Sequence, residues 1–329
     1  MRDARRMIPA AVVIRMDVMD PELDAFLPFI PKTDLSDPIA ARKQLAELAA
    51  AAPKEVTAAA APGTEGMEVE DRTVPAAPGV PGVPVRIYRP SPAHGAVVWL
   101  RGGGWIVGDL DTEHPTATRL AGASGAVVIS VDYRRAPEHR FPAALDDVYA
   151  VLEWTAENAS DLGVPPDRIA VGGHSAGAGL AAGAALRARD EQGPPIRFQL
   201  LNQPTLDDRQ ETWSQRNFTD TPWQDRDSLT AVWRHYLGDA PATPYAAPAR
   251  ADDLSGLPPA YVSAAEFDPL RDEDIDYALR LLQAGVTVEL HQWPGTFHGS
   301  HAILSADVSQ RQIAELGAVL RRALAGEGD

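Results

Sequence analysis

The segment Ile169-Ala-Val-Gly-Gly-His-Ser175-Ala-Gly-Ala-Gly constrains this chain more than any other stretch of it. A serine with a glycine two positions to either side lies between an apolar run that reads as a strand and a run of small residues that reads as a helix. A serine so placed sits on a sharp turn, and the glycines are needed because a Cβ at either position would strike the flanking strand and helix. The helix that follows aims its N-terminal amides at the serine, and the Ala176 N–H is placed to donate to a developing oxyanion. Ser175 is therefore the candidate nucleophile; the bland alternative is a serine that merely caps the helix. A dinucleotide fingerprint over Gly177-Ala-Gly179-Leu-Ala-Ala182 fails, because its glycines fall inside the helix and Asp190 and Glu191 come too early for the acidic partner.

The surrounding pattern places that turn in a larger frame. Short apolar runs predict strands at Val83 to Tyr88, Ala96 to Leu100, Ala126 to Val131, Ile169 to Gly172, Arg197 to Leu201, Ala260 to Ala264 and Val286 to Gln292. Helical patterns fall between them at Thr116 to Ala123, Ala143 to Asn158, Ala176 to Asp190 and Asp272 to Ala284. Continuous apolar strands alternating with helices predict an α/β fold with a mainly parallel, doubly wound sheet covered on both faces. Two short helices are expected between Pro21 and Ala61. The stretch from Thr205 to Pro248 breaks the rhythm with Trp213, Phe218, Trp223, Trp233 and Tyr236. It reads as a helical insertion with its own small core, or as a cap whose aromatics line a pocket.

A serine nucleophile needs a base and a group to orient it, supplied from the ends of later strands. Asp268 follows the strand ending near Ala264 and starts a turn before Pro269, which favours it over Glu266; His298 follows the strand ending near Gln292. After the strand ending at Leu100, Arg101-Gly102-Gly103-Gly104-Trp105 brings bare backbone close to a ligand, and the Gly103 and Gly104 amides are candidates to complete an oxyanion hole. Arg101 needs a carboxylate or carbonyl partner in a partly buried loop. Asp109, Asp111 and Glu113 are the nearest candidates in sequence. No metal site is expected: His291 and His301 lie outside any H-E-x-x-H, and Asp272, Asp274 and Asp276 lack the glycine of a calcium loop and read better as acids opening a helix.

Composition closes off other classes. The formal charge of −16 repels a phosphate backbone or an anionic bilayer, so neither nucleic acid nor membrane is an expected partner. With no cysteine, thiol nucleophiles, disulfides and thiolate metal sites are excluded, and a cytoplasmic location is the default. Arg2, Arg5 and Arg6 precede an apolar run from Ile8 to Ile14, but Pro9, Arg15 and Asp17 interrupt it and no A-x-A site follows. Residues 1–18 are expected to be a disordered extension.

Taken together, the glycine loop, Asp132-Tyr-Arg-Arg-Ala-Pro-Glu138 with Phe141-Pro-Ala-Ala144, Gly173-His-Ser175-Ala-Gly177, Asp268-Pro-Leu-Arg-Asp-Glu273 and Phe297-His298-Gly299 resemble the hormone-sensitive-lipase family of α/β-hydrolases. The resemblance runs from about Met19 to the C-terminus. It implies Ser175 as nucleophile, His298 as base, Asp268 as its orienter, and Gly103, Gly104 and Ala176 as oxyanion donors. It also implies cap elements at residues 19–62 and 205–248 around a hydrolase core at 63–204 and 249–329. Three positions depart from the family pattern: Arg101 stands where it usually has His, His174 where it has Asp or Gln, and Ala178 where it has Gly. The function expected is hydrolysis of short-chain acyl or aryl carboxylic esters through an acyl-enzyme, with no cofactor. Its rivals are amide or lactone hydrolysis and a non-catalytic ligand-binding protein on the same fold. The expected partner is a small-molecule ester, and a homodimer is left open.

Overall fold

A computed structural model describes residues 18–30, 33–51 and 63–326. The expected disordered extension therefore lies, apart from Val18, outside the described residues. In chain order the elements are α1 (Pro21–Asp24), α2 (Pro38–Ala51), β1 (Glu68–Val74), β2 (Val83–Arg89), β3 (Ala96–Leu100), α3 (Leu110–Ser124), β4 (Val127–Val131), α4 (Ala143–Glu157), β5 (Ile169–His174), α5 (Ala176–Asp190) and β6 (Phe198–Asn202). They continue with α6 (Trp213–Asn217), α7 (Arg226–Leu237), β7 (Ala260–Phe267), α8 (Arg271–Gln283), β8 (Val288–Phe297) and α9 (Asp307–Leu324).

The strands form one eight-stranded sheet in the order β1-β2-β4-β3-β5-β6-β7-β8. The β1–β2 and β2–β4 pairs are antiparallel and every other pair is parallel. The inner strands β3 to β6 are buried on both faces. β3 sends Val98 and Leu100 into a core shared with α4 and α5, and Val97 and Trp99 into a second core against α3 and α9; all four are 0% exposed. Burying a side chain of this kind stabilises the fold by roughly 1.5–3 kcal/mol.

Two departures from the sequence expectation have a local reason. α3 begins at Leu110 instead of Thr116, because Asp109 caps it by accepting from the Asp111 and Thr112 amides at 3.1 and 2.9 Å, and the Thr112 hydroxyl accepts from the Asp109 N–H at 2.8 Å. β8 runs on to Phe297 through a register shift at Pro294-Gly295, where the Gly295 N–H donates to the Glu266 carboxylate at 2.7 Å.

The N-terminal segment docks on this end of the sheet. The Asp20 N–H donates to the Gly295 carbonyl at 2.9 Å, and Met19 and Leu23 pack with Phe267, Trp293 and Phe297. Arg42 of α2 donates to the Ile106 and Ala136 carbonyls at 2.6 and 2.8 Å and pairs with Glu138 at 2.7 Å, which fastens α2 over the glycine loop. From the other side α7 buries Trp233 and Tyr236 against Trp105, with Tyr236 stacked at 4.1 Å and 8°.

Candidate active site

Parallel register gathers the candidate residues. Leu100 pairs with Gly173 and Phe267 with Phe297, so Arg101, Ser175, Asp268 and His298 all lie just beyond the carboxyl ends of neighbouring or near-neighbouring strands. Ser175 occupies the turn between β5 and α5 at φ 56° and ψ −123°. That left-handed backbone is costly for a residue with a Cβ and persists only where the surroundings enforce it. The Ser175 N–H donates to the Asn202 carbonyl at 2.9 Å, and its own carbonyl accepts from Gly179 and Thr205 at 3.0 and 3.1 Å. Gly177 permits the close approach of β3: a Cβ there would lie 2.1 Å from the Leu100 carbonyl oxygen.

His298 Nε2 lies 2.9 Å from Ser175 Oγ, and His298 Nδ1 lies 2.7 Å from Asp268 Oδ2. A carboxylate only accepts, so Nδ1 carries the proton and Nε2 is free to accept from the serine hydroxyl. The other Asp268 oxygen accepts from the Leu270 N–H at 2.9 Å. Ser175, His298 and Asp268 are 6%, 6% and 0% exposed, so their hydrogen bonds form out of bulk water. The loop after His298 is held where the Gly299 N–H donates to Gln203 Oε1 at 2.8 Å.

Gly103 turns the glycine loop: at φ 103° its carbonyl accepts from the Ile106 and Val107 amides, both at 3.0 Å. Gly103, Gly104 and Ser175 border one cavity of about 350 Å³, which His298, Gly299, Trp223, Leu35 and Leu45 also line. Ala176 follows Ser175 as the first residue of α5.

The expected partners of Arg101 are corrected. Asp109 caps α3, Asp111 pairs with Arg86 at 2.9 Å, and Glu113 accepts from Trp99 Nε1 at 2.7 Å. Arg101 instead donates to Asp132 Oδ1 at 3.3 Å and to the Tyr133 carbonyl at 3.0 Å. Its guanidinium stacks 3.9 Å from the centre of the Tyr133 ring, whose hydroxyl donates back to the Arg101 carbonyl at 2.9 Å. The reason is register: β3 and β4 run parallel with Leu100 opposite Val131, so the residues after each strand meet in space although 31 positions separate them in sequence. Glu113 also borders the cavity, and burial pushes its carboxyl up to about 7 against the opposing influence of Trp99 and Arg101.

The remaining candidates separate cleanly. His291 stacks on Trp293 and meets Glu315 at 2.6 Å, away from His301, which packs against His174. Glu266 braces Gly295 and does not reach His298. Among the described residues no three His, Asp or Glu side chains are grouped to hold a metal ion. Of the aromatics in the 205–248 stretch, Trp223 lines the cavity, whereas Trp233 and Tyr236 pack beneath the glycine loop. His301 is the cavity residue that sequence reasoning passed over. The sequence weighs it only beside His291 for metal binding, and its place three residues after His298 is the signal that marks it.

A buried serine, imidazole and carboxylate in series beside a glycine loop are the arrangement that a hydrolase site of the acyl-transfer type requires. The chain belongs to the α/β-hydrolase fold family, whose model matches residues 97–302, within its hormone-sensitive-lipase-like branch. It is 45% identical over 242 residues to the carboxylesterase NlhH of Mycobacterium tuberculosis, covering 71% of this chain and 75% of that protein. Its structure is similar to that of a bacterial heroin esterase, with a TM-score of 0.89 and 43% identity over 94% of this chain and 99% of the other. It is also similar to the esterase LipW of Mycobacterium marinum, with a TM-score of 0.87 and 41% identity over 95% and 98% of the two chains.

Proposed function

We propose that this protein is a serine carboxylesterase that cleaves small carboxylic esters through an acyl-enzyme. The observation that carries the reading is the unbroken series from Asp268 through His298 to Ser175, at 2.7 and 2.9 Å, opening on a cavity bordered by the glycine loop. Ser175 Oγ attacks the ester carbonyl carbon as His298 Nε2 takes its proton. Asp268 stabilises the imidazolium and keeps the ring in the productive tautomer. Negative charge developing on the carbonyl oxygen is met by the Gly103, Gly104 and Ala176 amides. The tetrahedral intermediate expels the alcohol, which receives the proton from His298, and water then releases the acid by the same steps in reverse.

The reading extends to architecture. Residues 19–62, as far as they are described, and the 205–248 stretch act as a cap that closes the cavity and limits acyl length, supported by Leu35, Leu45 and Trp223 in its lining. Arg101 scaffolds the glycine loop in place of the family's usual histidine. A cytoplasmic location and a homodimer complete the proposal; no helix among the described residues is long and apolar enough to cross a membrane. Fractionation and sedimentation test these two points.

Steady-state hydrolysis of p-nitrophenyl butyrate tests the central reading. The wild-type protein is expected to turn over, and Ser175→Ala to lose roughly 10⁴–10⁶-fold in kcat while unfolding at an unchanged temperature. A Ser175→Ala protein that keeps more than a few per cent of activity places the nucleophile elsewhere.

A further inference from the structure

The triad leaves two imidazoles of the cavity wall without a task. His174 stacks on His298 with ring centres 5.1 Å apart, and His301 meets His174 at 4.4 Å and 73°, so three rings run in series along the cavity. The chain of hydrogen bonds behind them fixes the orientation of the middle ring. Ser263 Oγ donates to Asn202 Oδ1 at 2.5 Å, which leaves the Asn202 amide nitrogen to donate to His174 Nδ1 at 3.3 Å. His174 Nδ1 therefore accepts and its Nε2 carries the hydrogen, on the side of the ring nearest Gly299, where a Cβ would stand 3.9 Å away. His301 is 5% exposed, lines the same cavity, and has its Nδ1 buried with no hydrogen-bond partner.

Both rings stay neutral near pH 7. Burial, followed by the charges of His301 and His298, holds His174 well below the ordinary imidazole range, and burial with the charge of His298 pushes His301 down to about 4. With its Nδ1 taken by Asn202, His174 offers the Nε2–H as a donor, and neutral His301 offers one donor and one acceptor. A hydroxyl answers both, whereas an ammonium brings no acceptor and a carboxylate no donor. The leaving alcohol takes its proton from His298, so groups stacked against that ring and lining the same cavity flank the alcohol portion of the ester.

We propose that His174 and His301 form a polar subsite that recognises a hydroxyl carried by the alcohol portion of the ester, so that the preferred substrates are esters of diols, polyols or other hydroxylated alcohols. The subsite rests on the carboxylesterase reading and names its substrate class. A plain alkyl ester leaves buried polar atoms of the wall unpaired, which penalises its transition state relative to the hydroxylated one.

The test compares kcat/KM for 2-hydroxyethyl butyrate and propyl butyrate, which share an acyl group and differ by one hydroxyl in place of a methyl. The wild-type protein is expected to favour the hydroxylated ester by about tenfold. His301→Leu is expected to bring the ratio close to one, and His301→Gln, which keeps a donor and an acceptor, to restore most of it. Because the ratio is taken within one preparation, a general loosening of the site lowers both rates and leaves it unmoved. A wild-type ratio near one, or a ratio retained in His301→Leu, overturns the subsite while leaving the carboxylesterase reading intact. Failure of the wild-type protein to cleave either ester overturns that reading itself.

Discussion

Arg101 sets a long cation where the resembled family usually has a compact ring, and of its guanidinium nitrogens only Nη2 finds hydrogen-bond partners, Nε and Nη1 being buried without one. The guanidinium lies on the Tyr133 face, with Asp132 and the Tyr133 carbonyl taking one nitrogen, while the Tyr133 hydroxyl holds the Arg101 backbone. On the proposed reading the side chain, through Tyr133, fixes the start of the loop that carries Gly103 and Gly104. Arg101→Ala is therefore expected to lower kcat by about 10²-fold and to raise KM less, since oxyanion contacts strengthen in the transition state. An unchanged kcat makes the arginine a bystander. The need for a partner was legible in the sequence; its identity was not, because adjacency across a parallel ladder leaves no trace in local spacing. A second consequence at this scale concerns acid. In the unfolded chain His301 titrates near the ordinary value of about 6.5, whereas in the fold burial and His298 bring it down to about 4. Between those values the unfolded chain binds a proton that the native protein does not, so stability is complete above the unfolded pKa and is lost as pH falls through this window. His174 acts in the same direction. Urea midpoints at pH 7 and pH 5 should fall further apart in the wild-type protein than in His301→Phe, and equal spacing contradicts the assignment.

At the scale of elements, the strands that carry the site were visible as apolar runs, but their lengths were not. β7 and β8 extend three and five residues beyond the expected ends, and that extension sets Asp268 beside His298 through the Phe267–Phe297 pairing. Tertiary pairing and the bulge at Gly295 carry it, features without a periodic signature. β1 escaped sequence reading altogether because six of its seven residues are exposed and its sequence, Glu-Val-Glu-Asp-Arg-Thr-Val, offers no buried face. The α5 turn, by contrast, is written in glycines. Gly177→Ala is expected to cost about 3 kcal/mol or more, because its Cβ would sit 2.1 Å from a backbone oxygen of β3 that cannot move alone. Thermal unfolding measures it, and a loss below about 1 kcal/mol contradicts the close approach. The clamp between α2 and the glycine loop makes a separate prediction. Arg42→Ala removes the bonds to Ile106, Ala136 and Glu138 and should raise KM several-fold for butyrate esters. With α2 in place, acetate to hexanoate esters should outpace palmitate, since the cavity is only about 350 Å³; faster cleavage of palmitate argues against a limiting cap.

For the molecule as a whole, the acidic surface and the buried site make distinct demands. A formal charge of −16 should slow the approach of anionic esters at low ionic strength, and added salt should raise their kcat/KM while leaving neutral esters little changed. The order of motifs along the chain made the fold class and the three central residues legible, because a strand-to-helix serine, a later acid and a later histidine each depend on local sequence. Cavity residues such as Trp223 and His301 converge only when the 205–248 stretch and the loop after β8 fold over the sheet ends. The proposed chemistry requires an activated serine at position 175. Titration with an organophosphonate, followed by peptide mapping, measures that activation directly. One equivalent of label on Ser175, accumulating in step with loss of p-nitrophenyl butyrate hydrolysis, is the predicted result, and an unmodified Ser175, or full activity in labelled protein, contradicts it.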